Sequence, residues 1–120
     1  MDAVMSTLTR DLILRAVDIK TARIDVPEWG GSVLVRGMTA FERDTMLNAI
    51  DPKKEGISDS QLKAFLCAHC IVDEHGNSIF SDEDIHRLQA KNPVILDRIA
   101  NKVLRLSGVG ADAVEDIEKN

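Results

Sequence analysis

The sequence predicts a mainly α fold with a small β-hairpin, an α+β class with about five helices packed around one core. Three observations lead there. Apolar residues recur at helical spacing in successive segments of the chain. One stretch, residues 23–46, switches to period two around a Gly-Gly turn. The core must be aliphatic, because aromatic residues make up 3 % of the chain and there is no Tyr.

In residues 6–18, Leu8, Leu12, Ile13, Ala16 and Val17 fall on one helical face, with Arg10, Asp11 and Arg15 opposite. That is the pattern of an amphipathic first helix with a solvated polar side. The stretch RIDVPEWGGSVLVRGMTAFERDTM follows. Ile24, Val26, Val33 and Val35 share faces by period two, Pro27 suits a strand end because it lacks an N–H, and Gly30-Gly31 are expected to supply the positive φ of a tight reversal. A lone hairpin is marginal in water. Its cover is either this chain's own helices or a neighbouring chain added along the strand edge. Thr39-Ala40-Phe41-Glu42 spells a capping box for a helix over 40–50, with Met46, Leu47 and Ile50 on one face and Phe41 pointing away from them.

Residues 51–56, DPKKEG, read as a surface loop, since the residue before proline leaves the helical region and nothing there needs burial. Ser58-Asp59-Ser60-Gln61 is a second capping box, and Leu62, Phe65, Leu66 and His69 continue it as a third helix to about Cys70. Over 71–80, two apolar pairs surround a polar, Gly-containing turn, as in a second small hairpin or a compact loop. Ser81-Asp82-Glu83-Asp84 opens a short fourth helix edged by Ile85 and Leu88. Asn92-Pro93 starts the fifth, which carries the stripe Ile95, Leu96, Ile99, Val103 and Leu106 and stops at Gly108. This helix is expected to be the most buried. Residues 1–109 are therefore read as a single globular domain. Residues 110–120 are read as an acidic, flexible C-terminal tail in which Val114 and Ile117 are the helically spaced apolar residues.

The net charge of −5 and a pI near 5.1 have the wrong sign for non-specific binding to nucleic acid or anionic membrane, and neither partner is expected. MDAVMSTLTRDLIL lacks the basic start and continuous apolar run of a secretory signal, no stretch approaches a membrane span, and two cysteines three positions apart suit a reducing compartment. A cytoplasmic protein is expected.

The strongest candidate for chemistry is Cys67-Ala68-His69-Cys70, with His75 and His86 further on, because thiolates and imidazoles are zinc's preferred ligands. A small zinc-binding regulatory module using Cys67, Cys70 and a histidine is thus the alternative reading. Against it, no second ligand pair accompanies the first, and the cysteines lie within a helical pattern where free thiols pack as core. His69 reads as a core-edge histidine bonded to a backbone carbonyl. Asp73, Glu74 and Asn77 lack the spacing of a calcium loop, and no G-x-S-x-G, P-loop or dinucleotide motif occurs. No catalytic, metal or cofactor site is expected, and the chain reads as a non-enzymatic interaction protein. Trp29, the sole Trp, sits at the turn, where it is either a partner anchor or a lid folded over the core. Phe41 either touches the hairpin or faces a partner.

The strand ending VPEWGG, the second strand VLVRGMT, the helix opening AFERD and the later VDEHGNSIFSDEDI together resemble the tail assembly chaperones of long-tailed, siphovirus-like bacteriophages. That resemblance implies a helper that binds and solubilises the tape-measure protein and recruits tail tube protein during tail assembly. It implies action in the bacterial host cytoplasm and absence from the mature virion, a structural virion component being the other alternative. Weak self-association is expected too, with repeated subunits shielding the client's apolar stripes. Trp29, Val33, Val35, Arg36 and Phe41 are the candidate partner-binding residues where this chain's own helices leave them open.

Overall fold

A computed structural model describes residues 6–49 and 58–109. Along the chain run α1 (Arg10–Arg15), β1 (Thr21–Val26), a 3-10 turn (Pro27–Trp29), β2 (Gly31–Arg36), α2 (Ala40–Ala49) and α3 (Asp59–Cys70). They are followed by β3 (Ile71–Val72), a second 3-10 turn (Asp82–Asp84), α4 (Ile85–Leu88) and α5 (Pro93–Leu106). Five helices and a three-stranded antiparallel sheet among the described residues make this the α+β class predicted from the sequence. The loop expected at 51–56, Ile50 and the tail at 110–120 lie outside the described residues.

The hairpin pairs Thr21 with Arg36 through to Val26 with Gly31. Pro27 opens its 3-10 turn, and Gly30 closes it at φ +81°, a value that costs a residue with a Cβ. Gly31 takes no positive φ and simply begins β2, so one glycine of the pair makes the reversal. Period-two alternation places Val26 and Val35 in the core and keeps Ile24 and Val33 half-buried beside it. Over this face lie α3 and α5, contributing Leu66, Cys67 and Cys70 from one and Ile99, Ala100 and Val103 from the other.

Two expectations are corrected. The first helix is six residues long, not thirteen, and buries nothing. Thr9 caps it, but Ala16 already has extended backbone, and the Lys20 carbonyl accepts a hydrogen bond from Gly37 N at 2.9 Å. Pairing with β2 draws the chain out of the helix before the apolar periodicity ends. In α3 the buried face is Ala64, Leu66, Cys67, Ala68 and Cys70, while Leu62, Phe65 and His69 are only half-covered. The helix is pressed by α5 and by the sheet side at once, and Ala64 and Ala68, four apart, let a neighbouring helix approach closely.

The junction after β2 rests on Gly37. A Cβ there would sit 2.9 Å from the Leu106 carbonyl oxygen, while Met38 N donates to Ser107 Oγ at 2.8 Å and that hydroxyl donates to the Val103 carbonyl at 2.6 Å. The close approach ties the end of the hairpin to the last turn of α5. Gly37→Ala should destabilise the protein by about 1–3 kcal/mol in urea unfolding, because backbone has to move. Gly31→Ala, with open space at its Cβ, should stay within about 0.5 kcal/mol of wild type.

Candidate functional site

β2 is the central strand. Leu34 and Val35 pair with Val72 and Ile71 of β3, so the edge that the sequence left open at 33–36 is closed by the chain's own third strand. Val35 is fully buried, and Val33 is half-buried with its side chain packed against the core. β1 and β3 are the two edge strands among the described residues, and Val72 of β3 makes a further isolated bridge to Ser78.

Arg36 leaves the end of β2 as the hub of a polar network. Its guanidinium donates to both Glu42 oxygens at 2.8 and 2.9 Å, to the Gly37 carbonyl at 2.9 Å and to the His69 carbonyl at 3.0 Å. Glu42 is also the far half of the predicted capping box: it accepts from Thr39 N at 2.9 Å while Glu42 N donates to Thr39 Oγ1 at 3.2 Å. Bidentate pairing with Arg36 holds the Glu42 carboxyl down at about 2, and Glu42 in turn raises the guanidinium. His69 stands with Nε2 3.0 Å from Asp82 Oδ1 and Nδ1 3.6 Å from Glu42 Oε2. Its side-chain partners are thus carboxylates and not the backbone carbonyl expected from the sequence. The reason is tertiary: the last turn of α3 lies between the acidic starts of α2 and of the second 3-10 turn.

Next to Glu42 on α2, Phe41 points away from the Arg36 network. Phe41 is 79 % exposed and forms one wall of an open cleft of about 450 Å³ that it shares with Thr45, Phe65, His69, Asp82 and Ile85. Trp29, 40 % exposed, borders a second cleft of about 320 Å³ with Phe80, Leu88, Asp84, Arg87 and Lys91. It is therefore not a closed lid over the core, and part of its ring stays open. The turn that carries it is pinned by Glu28, whose carboxylate accepts from Arg98 of α5 at 2.9 and 2.6 Å and is held at about 2 by that bond.

A family model of phage tail assembly chaperones matches residues 9–120. The chain belongs to that family. A solved structure of the tail assembly chaperone of bacteriophage HK97 has the same fold: TM-score 0.59 at 17 % identity, over 80 % of this chain and 90 % of that one. No curated protein matches the chain.

In this tail assembly chaperone the most exposed apolar surface lies on the segment that the sequence pattern reads as an amphipathic first helix. Leu8, Leu12, Ile13, Leu14 and Val17 of the α1 region are all exposed, Val17 by 97 %. One signal was available: Leu14 lies off the counted stripe, so the segment is apolar on more than one side. The cysteines go the other way. Cys67 and Cys70 are fully buried, and burial pushes both thiols up to about 12, away from the thiolate that a metal requires. Among the described residues no three His, Cys, Asp or Glu side chains converge as a metal site would need.

Both thiols should react with an aromatic disulfide reagent at the rate of global unfolding and not with the native protein, as read by stopped-flow absorbance with and without urea. Stability should also fall in acid. Above the ordinary carboxylate value of 4.5 the contribution of Glu28 and Glu42 is complete. As pH drops towards 2, the unfolded chain takes up protons that the folded chain refuses, and the stabilisation is lost. Urea midpoints measured from about pH 6 to about pH 2.5 should trace that decline, and Glu42→Gln should flatten it. Arg36→Ala, which strands a largely covered carboxylate, should cost about 2–4 kcal/mol at neutral pH.

Proposed function

We propose that this protein binds the tape-measure protein in the host cytoplasm, keeps it soluble, and recruits tail tube protein during tail assembly without remaining in the mature virion. Family membership supports the general role, and one observation carries the specific one. A chain of 120 residues exposes Leu8, Leu12, Leu14 and Val17 at its N-terminal side and Phe41 beside a cleft floored by Phe65 and Ile85. Large apolar side chains left in water mark a surface meant for another chain, and an amphipathic client helix needs such a surface for its own stripe. Of the five candidate residues, Phe41 and Trp29 act as contacts in this reading, while Val33, Val35 and Arg36 hold the surface that presents them. Weak self-association places several copies along one client.

Co-expression with the tape-measure protein, followed by affinity capture in each direction, tests the proposal. Retention of the partner should be clear for the wild type and fall by about tenfold or more for Phe41→Ala combined with Leu14→Ser, with unfolding midpoints unchanged. Absence of retention in both directions sinks the reading. Capture of tail tube protein in the same lysate checks recruitment, and mass spectrometry of purified virions should find the chaperone missing.

A further inference from the structure

The chain is acidic, yet one groove is basic. Between β1 and α5 lies a cleft of about 410 Å³ lined by Arg23, Ile24, Arg98, Asn101, Lys102 and Arg105. Arg98, Lys102 and Arg105 stand at i, i+4 and i+7 along one face of α5, so their charges form a row about one helical turn apart. The first of them already shows what the groove takes: Arg98 holds the Glu28 carboxylate with two hydrogen bonds. Beyond that point Arg23 donates only to the Ser32 hydroxyl at 3.0 Å, and neither it nor Lys102 nor Arg105 forms an ion pair with any described residue.

We propose that this groove is the docking surface for the chain's own C-terminal segment, residues 110–120. The described chain ends at Val109, four residues past Arg105, and the remaining sequence is GADAVEDIEKN. It carries Asp112, Glu115, Asp116 and Glu118 against a single Lys119, the complement of the cations that have no ion-pair partner among the described residues, and Val114 is an aliphatic match for Ile24, which lines the groove. Reach is ample: eleven residues span up to about 36 Å when extended, against about 10 Å along α5 from Arg105 back to Arg98. Tethering also supplies an effective concentration in the millimolar range, enough for pairs that are individually weak.

Zero-length carbodiimide cross-linking of the full chain tests this, since Lys102 is the one lysine in the groove. Peptide mapping should find amide links between Lys102 and the carboxylates of 110–120 within one molecule, with the yield reduced by about tenfold at about 0.5 M NaCl. Arg105→Glu should reduce it similarly. Because that substitution touches the fold, a second variant, D112N/E115Q/D116N/E118Q, alters only the segment. Its amide NMR shifts relative to wild type should concentrate at Arg23, Lys102 and Arg105. Links distributed equally to Lys20, Lys63 and Lys91, or shifts absent from the groove, would overturn the proposal. So would links found mainly between isotopically labelled and unlabelled copies, which would make a second copy the occupant. Binding of a fluorescent RNA oligonucleotide by the wild-type chain at physiological salt would overturn it too, because the groove would then be open to phosphates.

Discussion

Everything at the centre of this protein converges on the Arg36 guanidinium. It stands at the end of the central strand, caps the start of α2 through Glu42, and takes the His69 carbonyl from the last turn of α3. A planar fork with five donors can join three elements in fixed geometry, which an ammonium group does poorly. The consequence for function is orientation. Glu42 is held on Arg36, and Phe41, about 100° round the helix from it, is left exposed.

The sheet shows the same economy of position. The order β1-β2-β3 makes the strand with Val33 and Val35 internal and leaves β1 and the short β3 at the edges. The two-residue β3 is short, but it arrives directly from α3, so the helix that supplies core side chains also seals the strand edge. What remains open is then asymmetric. Apolar residues project from the α1 region and from Phe41, while the cationic row of α5 faces β1. An assembly helper needs surfaces of both kinds, one to hold apolar chain and one to govern which charged segments come near.

How much of this was legible in advance differs from element to element. Capping boxes at Thr39–Glu42 and Ser58–Gln61 formed as their spacing required, and Asn92-Pro93 opened α5, because caps are settled by atoms within one turn of chain. The hairpin, the fold class and the family resemblance were readable for the same reason: turn residues and alternation act over a few positions. The α1 region was misread because its periodicity is real but has no described partner, and periodicity alone does not say whether anything lies opposite. In α3 the counted stripe Leu62, Phe65, Leu66 and His69 differs from the buried face because the small residues Ala64, Cys67, Ala68 and Cys70, which periodicity of large apolar residues leaves out, are the ones covered by neighbouring elements.

By itself, then, the sequence determined the local elements, the aliphatic core, the absence of catalytic motifs and the likeness to phage tail assembly chaperones. Each of these depends on spacing within a window of a few residues. Only the tertiary structure decided that β2 is internal, that Arg36 joins β2 to α2 and α3, that His69 meets Asp82 and Glu42, and that Arg23 lines one groove with Arg98, Lys102 and Arg105. Those are meetings of residues between 6 and more than 80 positions apart, and which side chains meet across such distances is chosen by packing, not by pattern.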